Sequence, residues 1–191
     1  MKRVLGILGS PCSDGNTAEL LDAVLEGARA KGAQVERVNL SELKIHPCLE
    51  CGGCDSGESC GKIDDDMKSI YSKIREVDAI VIASPIFFMG VTAQTKAMID
   101  RCQCYWVERF VKKKRAYEGR SRPKGLFVST AGGPKEVVFE PAKHVVKAFF
   151  SAIDYEYVGE VLFGNTDSPD SIKRKPDVLL AARAAGAKLV P

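Results

Sequence analysis

Residues 4–17 read Val-Leu-Gly-Ile-Leu-Gly-Ser-Pro-Cys-Ser-Asp-Gly-Asn-Thr, an apolar run that leads into a loop of small and hydroxyl-bearing residues. A short, continuous apolar run bounded by turn residues is typical of a strand buried inside a sheet. The residues that follow carry apolar side chains at helical spacing, which predicts a helix over residues 17–31 with Asn16 as its N-cap and Gly32 as its stop. The segment therefore predicts a strand, a loop and a helix, in that order.

The same alternation continues along the chain. Further strands are predicted at residues 35–40, 79–83, 126–130 and 155–162, with helical stretches at 91–106, 142–149 and 178–189. Strands that alternate with helices indicate an α/β fold with a parallel sheet. Five strands in 191 residues fit the flavodoxin-like doubly wound order 2-1-3-4-5, in which the ligand lies beyond the carboxyl ends of the strands. We therefore expect functional residues in the loops after strands one, three and four.

The composition is that of an ordinary globular protein, with 45% hydrophobic and 28% charged residues. It excludes a disordered chain, a collagen-like repeat and a small scaffold held together by disulfides. Apolar runs are shorter than the roughly 20 residues of a membrane span and the roughly 7–15 residues of a signal-peptide core. We expect a single domain over residues 1–191, located in the cytoplasm and without a membrane partner.

The first loop has the chemistry of a phosphate site. Ser10, Ser13, Asn16 and Thr17 can donate hydrogen bonds, and Gly15 permits unusual backbone conformations directly before a helix N-terminus, which favours anions. The lysine of the triphosphate-binding P-loop is missing, so a monophosphate is the better prediction. A plain helix-capping turn uses the same residue types and is the alternative.

The loop after the third strand, which contains Pro85, Ile86, Phe87, Phe88 and Gly90, suits a flat ring held by apolar contacts and backbone groups. Considered alone, the two phenylalanines are better explained as core residues, because most aromatic side chains are buried.

The loop after the fourth strand contains Thr130, Ala131, Gly132 and Gly133, whose glycines would let the backbone approach a ligand, although a simple turn is the alternative. Three loops with ligand-compatible chemistry at one end of one sheet are stronger evidence together than any of them singly.

Taken together, the loops resemble the NADPH-dependent FMN reductase family of the flavodoxin-like superfamily. The resemblance extends over about residues 1–165, through Gly9-Ser10-Pro11…Gly15-Asn16-Thr17 and Ser84-Pro85-Ile86-Phe87-Phe88…Gly90…Thr92…Lys96…Asp100-Arg101. With a cysteine cluster added, the chain looks most like the iron–sulfur flavoprotein branch of that family.

The resemblance implies a place for each part of FMN. Ser10, Ser13, Asn16 and Thr17 would hold the phosphate, residues 85–88 and Gly90 would contact the flavin ring, and residues 130–133 would lie beside it. The family usually has a tyrosine where Phe87 or Phe88 stands, so a phenolic hydrogen bond is not available here. The resemblance also implies a homodimer or homotetramer, with the flavin near a subunit interface, and NADPH as a substrate.

Four of the seven cysteines, Cys48, Cys51, Cys54 and Cys60, lie within a cysteine-rich loop inserted at residues 41–63 after the second strand. Their C-x2-C-x2-C-x5-C spacing in a glycine-rich segment favours one [4Fe–4S] cluster. Zinc, which also accepts four thiolates, and a set of unoccupied or redox-active thiols are the alternatives. The remaining thiols, Cys12, Cys102 and Cys104, are predicted to be ordinary buried residues.

Residues 109–124 hold eight basic residues and one acidic residue. A solvated face is the usual explanation for such a run. The alternative hypothesis is that it steers ferredoxin, another acidic electron carrier or the extra phosphate of NADPH towards the flavin. One short basic stretch without a recognised module does not indicate nucleic-acid binding.

The sequence therefore predicts an oxidoreductase containing FMN and a [4Fe–4S] cluster that couples two-electron flavin chemistry to one-electron transfer. Two other functions remain open. One is an NAD(P)H-dependent FMN or quinone reductase with structural or zinc-binding cysteines. The other is a non-enzymatic redox sensor or electron-shuttling flavoprotein. No side chain is predicted to act as a general acid or base, because the isolated His46 and His144 fit surface or satisfied positions.

Overall fold

The computed structural model describes residues 1–55, 60, 62–133 and 136–190. Five strands form one parallel sheet in the order β2-β1-β3-β4-β5, which confirms the predicted flavodoxin-like topology. The strands are β1 (Arg3–Leu8), β2 (Gln34–Asn39), β3 (Ala79–Ala83), β4 (Lys124–Thr130) and β5 (Glu156–Phe163).

In the described part of the chain, six α-helices flank the sheet: α1 (Asn16–Ala30), α2 (Met67–Glu76), α3 (Ala93–Arg101), α4 (Gln103–Trp106), α5 (Glu140–Ala152) and α6 (Pro176–Leu189). Short 3-10 turns occur at Leu40–Glu42 and Glu136–Phe139, and a π-helical turn at Val107–Val111 follows α4. Among the described helices, none is both long and apolar enough to cross a membrane.

Two hydrophobic cores lie on opposite faces of the sheet. Successive side chains of a strand point to opposite faces, so Ile80 and Ile82 of β3 enter one core while Val81 enters the other. Helices α2 to α5 cover the first face and α1 and α6 cover the second. Burial on both faces explains why β1 and β3 read as continuous apolar runs instead of alternating ones.

Three helix predictions need correction. The N-cap of α1 is Gly15, and Asn16 is the first helical residue. The helix predicted at 91–106 is interrupted at Cys102, which separates α3 from α4. Helix α2 was not predicted, although its buried residues recur at helical spacing: Met67, Ile70, Tyr71 and Ile74.

Candidate functional site

The first loop leads directly into the N-terminus of α1. Its N-cap is Gly15, which has no side chain to offer, so the first-turn N–H groups receive no cap from that position. Ser10 is buried and its Oγ accepts a hydrogen bond from the N–H of Cys12 at 3.1 Å, which shapes the loop. The loop therefore presents backbone donors at the positive end of a helix dipole, the arrangement that binds a phosphate.

Arg37 braces this loop from β2. Its guanidinium donates to the carbonyl oxygen of Ser13 and pairs with Asp22 on α1 at 2.7 Å. Its cationic side chain thus lies beside the predicted phosphate site. The contact could not be predicted from the sequence, because nothing in the pattern of a strand shows which loop its side chains reach.

Asn16 is held by the segment that follows β5. Its Nδ2 donates to the carbonyl oxygens of Thr166 at 3.3 Å and Ser168 at 3.0 Å, and its Oδ1 accepts from the N–H of Ile172 at 3.0 Å. The side-chain amide therefore joins the start of α1 to the chain after β5. Its contact with a phosphate stays a prediction.

Two hydroxyl groups connect the predicted phosphate loop to the end of β4. The Oγ1 atoms of Thr17 and Thr130 lie 2.6 Å apart, and both residues are buried. The carbonyl oxygen of Thr130 also accepts from the N–H of Ile86 at 2.9 Å. The structure thus brings residues of all three predicted ligand loops to the carboxyl edge of the sheet.

Thr92, the N-cap of α3, connects the loop after β1 to the loop after β3. Its Oγ1 donates to the carbonyl oxygen of Gly9 at 2.6 Å, and its N–H donates to the Oγ of Ser84 at 3.0 Å. Because all these groups are buried, the hydrogen bonds fix the distance between the two loops.

The loop after β3 forms a tight hairpin. Phe87 and Gly90 exchange backbone hydrogen bonds of 3.0 and 2.9 Å, while Phe88 and Met89 have φ angles of 49° and 63°. Two consecutive residues in the left-handed region make a type I′ turn, which most often uses Asn or Gly. Relative exposure is 51% for Phe87 and 107% for Phe88, so the core-packing alternative is wrong. The turn places two aromatic rings at the surface of the predicted ring site.

The loop after β4 is braced by the chain after β5. The N–H of Ala131 donates to the carbonyl oxygen of Phe163 at 3.0 Å, and the N–H of Thr166 donates to that of Ala131 at 3.1 Å. A Cβ at Gly132 would meet the carboxylate of the exposed Asp167, which would have to turn aside to admit it. Hydrogen bonds to the chain after β5 thus brace residues 131–133.

All four predicted cluster ligands line one cavity of about 880 Å³. Its wall also includes the junction between α3 and α4, where Cys102 lies, and residues of α5 such as Phe149. All seven cysteines are free thiols, and of the four loop cysteines only Cys60 is buried. Four thiols around a cavity of this size fit a multi-atom cluster.

The thiols of the cavity interact electrostatically. Burial raises the pKa of the Cys54 thiol, and the charges of Cys60, Cys48 and Cys51 raise it further. Bringing several thiolates together is therefore costly without a cation between them. As the side chains are placed, the described residues contain no group of three or more His, Cys, Asp or Glu that would hold a metal ion.

A buried ion pair lies at the base of the cysteine loop. The guanidinium of Arg101 donates to both carboxylate oxygens of Asp65, at 2.7 and 3.2 Å, and to the carbonyl oxygen of His46 at 3.0 Å. Asp65 in turn accepts from the N–H groups of His46 and Met67 at 2.9 and 3.1 Å. Burial alone would raise the pKa of Asp65, but these hydrogen bonds lower it below its usual value. The pair holds the two ends of the loop together.

The cavity and the three flavin-type loops are separate features of one chain. The described wall of the cavity contains no residue from 9–17, 85–90 or 130–133. It is built instead from the cysteine loop and the helices that cover one face of the sheet.

The two isolated histidines and Cys12 are exposed, whereas Cys102 and Cys104 are buried as predicted. The prediction of a buried Cys12 is wrong, because the first loop leaves its side chain exposed. Most of residues 109–124 are exposed, and two of their arginines approach the buried Asp154, Arg109 at 3.4 Å and Arg122 at 4.0 Å.

Comparison with known proteins gives consistent results. Residues 2–165 match the sequence model of the family described as NADPH-dependent FMN reductase. An iron–sulfur flavoprotein of Archaeoglobus fulgidus is 41% identical over 103 residues, which are 54% of this chain and 46% of that protein. An iron–sulfur flavoprotein of Methanocaldococcus jannaschii is 30% identical over 162 residues, 85% of this chain and 77% of that protein.

The fold has solved counterparts. An FMN-dependent NADH-azoreductase from Bacillus anthracis, solved in complex with FMN, matches with a TM-score of 0.74 at 16% identity, and the match covers 100% of both chains. A likeness at this identity concerns the fold alone. The chain spans about half the length of the first curated relatives that it matches.

Proposed function

The chain belongs to the iron–sulfur flavoprotein branch of the NADPH-dependent FMN reductase family, and from that premise we propose that it is an oxidoreductase carrying FMN and a [4Fe–4S] cluster. The main support for this proposal is the presence of two candidate binding sites in one chain. One is the set of three hydrogen-bonded loops at the carboxyl edge, and the other is the cavity lined by four free thiols.

The residues at the carboxyl edge fit FMN. The N–H groups at the start of α1, with Ser10, Ser13, Asn16 and Thr17, would bind the phosphate. The exposed rings of Phe87 and Phe88 and the backbone of Pro85, Ile86 and Gly90 would contact the isoalloxazine ring, with residues 130–133 beside it. Covering these rings with a flavin removes apolar surface from water, which supports binding.

Cys48, Cys51, Cys54 and Cys60 would ligate the cluster, and the iron would relieve the repulsion between their thiolates. FMN supplies one- or two-electron chemistry when bound, and the cluster supplies one-electron transfer. The chain itself binds, orients and shields these groups. Free thiols suit a reducing compartment, which supports a cytoplasmic location.

The cavity wall shares no described residue with the three loops. In an oligomer, a second subunit would place its cavity beside the flavin and bring the two groups together. We therefore propose a homodimer or homotetramer. We also propose that residues 109–124 attract an acidic electron carrier such as ferredoxin, and that NADPH is a further electron donor.

Anaerobic purification followed by a visible spectrum and analysis of iron, sulfide, zinc and flavin tests the proposal. We expect one FMN, four iron and four sulfide per chain. Zinc without iron would instead favour a flavin or quinone reductase with structural cysteines. Turnover with NADPH, compared with turnover with reduced ferredoxin alone, distinguishes a reductase from an electron carrier. A loaded protein that turns over with neither would indicate a sensor.

A further inference from the structure

Arg101, the last residue of α3, has a buried donor that is not used. Its side chain is 1% exposed, and its two terminal nitrogens are bonded to Asp65 and His46 as described above. The third nitrogen, Nε, is also buried and has no hydrogen-bond partner in the part of the chain that the structure describes. A buried N–H without an acceptor is unfavourable and uncommon, so this one calls for an explanation.

The surroundings of Arg101 point to the cysteine cavity. The residue directly after Arg101, Cys102, lines that cavity. Arg101 also binds the carbonyl oxygen of His46, a residue two positions before Cys48. Cys60, the one buried thiol of the four, interacts electrostatically with the guanidinium. The hydroxyl of Tyr71 donates to the carbonyl oxygen of Arg101 at 2.7 Å. With a cluster bound, Cys60 would carry a thiolate, a charged acceptor within electrostatic range of the guanidinium.

We propose that Arg101 sets the reduction potential of the cluster by donating a hydrogen bond from Nε to the ligating sulfur of Cys60. The inference rests on the proposed function and assigns a role that is distinct from ligation. Reduction adds negative charge to a cluster and its sulfur ligands, so a donor and a positive charge beside one sulfur stabilise the reduced form. The partner Asp65 holds the guanidinium in place and partly offsets its charge.

The decisive variant is Arg101→Lys, which keeps a positive charge opposite Asp65 and removes the Nε–H group. The measurement is a potentiometric titration of the cluster followed by electron paramagnetic resonance, which reads only the loaded molecules and so tolerates partial occupancy. We expect the equilibrium constant for uptake of one electron to fall about tenfold, equivalent to a midpoint about 59 mV lower.

Arg183→Lys is the matched control, because it makes the same change in an exposed pair with Glu26 on the opposite helical layer. Its midpoint should equal that of the parent protein. Asp65→Asn is a second variant that keeps Nε–H and removes a negative charge, so it should raise the midpoint. These opposite shifts would not follow from a purely structural role.

The outcomes separate the inference from the function on which it rests. A parent protein without iron and sulfide would overturn the proposed function, and the inference with it. If the parent protein carries the cluster and Arg101→Lys has the same midpoint as the parent, the inference alone is overturned. If Arg101→Lys retains no cluster at all, the Asp65→Asn midpoint decides, since an unchanged value contradicts the electrostatic coupling.

Discussion

The Oγ1 atoms of Thr17 and Thr130 lie 2.6 Å apart in the interior, and their hydrogen bond joins the first turn of α1 to the carboxyl end of β4. The residues are 113 positions apart in the sequence. Each belongs to a loop proposed to contact FMN. This hydrogen bond therefore directly links the residues proposed to bind the phosphate of FMN to those proposed to lie beside its ring.

Thr17→Val should weaken both the fold and the site. Valine has nearly the same shape, so the change removes the hydroxyl and leaves the Thr130 hydroxyl without its partner, at a cost of about 1–3 kcal/mol in the free energy of unfolding. Urea unfolding of the flavin-free protein measures that cost, and fluorescence titration measures the expected rise in the FMN dissociation constant. Thr17→Val with Thr130→Val completes a double-mutant cycle. Strictly additive losses would show that the two hydroxyls do not interact.

Phe88→Gly should stabilise the fold and weaken the flavin site. Phe88 has a φ angle of 49°, and a non-glycine residue in the left-handed region costs roughly 1–2 kcal/mol, which glycine would recover in part. The exposed ring contributes little to the core, so its loss should affect flavin binding and not folding. Urea unfolding should show a gain of about 1 kcal/mol.

Met89→Gly is the matched control for that prediction, since Met89 occupies the other left-handed position of the turn with φ 63°. It should give a similar gain in the free energy of unfolding with a smaller loss of FMN affinity. Equal affinity losses in the two variants would mean that the turn conformation, and not the Phe88 ring, matters for binding.

The architecture and the place of the three predicted ligand loops at the carboxyl edge could be predicted because they depend on local patterns. Buried parallel strands produce continuous apolar runs, and strands that alternate with helices leave few topologies. The carboxyl ends then identify the loops that carry function. The exposure of Phe87 and Phe88 could not be predicted in this way, because a Phe-Met pair is not a sequence signal for a type I′ turn.

Polar contacts between residues far apart in the chain could not be predicted from the sequence either. Arg101 and Asp65 are 36 residues apart, and nothing in either local pattern shows that the two charges are buried together. The bond of Asn16 to the chain after β5 spans more than 150 residues. Such pairs depend on how helices and loops pack on the sheet, which periodicity does not encode.

Asp65→Asn should destabilise the flavin-free and cluster-free protein at neutral pH and reduce its sensitivity to acid. The folded-state pKa of Asp65 is lowered, so its stabilising contribution is complete above the unfolded value of about 3.9 and is lost as the pH falls through the lower folded value. Breaking a buried pair leaves Arg101 uncompensated, which typically costs about 3–5 kcal/mol.

Urea unfolding at pH 7, 4 and 3 tests this, with Asp78→Asn as the control. Asp78 pairs with Lys2 at 2.9 Å, and its carboxylate is partly exposed, so its removal should cost much less. A loss at pH 7 no larger for Asp65→Asn than for Asp78→Asn would contradict a strong buried pair. The difference between parent and variant should shrink as the pH falls from 4 to 3.

Single serine substitutions at Cys48, Cys51, Cys54 and Cys60 should each lower the iron and sulfide content of the anaerobically purified protein. Mutating a residue that only supports a metal ligand typically lowers metal affinity roughly 10–100-fold. Removing a ligand itself should lower the affinity for the cluster at least as much. Cys102→Ser is the control, because Cys102 lines the same cavity but is not assigned as a ligand. Equal iron loss in Cys102→Ser would mean that the assigned set of four is incomplete or incorrect.

Reversing charges at Lys113 and Arg115 should slow reduction by an acidic ferredoxin. Both residues are exposed within the basic stretch at 109–124, and attraction between opposite charges raises association rates at low ionic strength. Salt screens exposed charges over about 8–10 Å near physiological strength, so the rate for the parent protein should fall steeply as salt is added. The variant Lys113→Glu with Arg115→Glu should be reduced slowly at low salt, and its rate should respond weakly to added salt.

The control is Lys31→Glu, a charge reversal at an exposed residue directly after α1, which should leave the salt dependence of the rate nearly unchanged. A parent rate that stays flat from low to high salt would show that the carrier docks elsewhere.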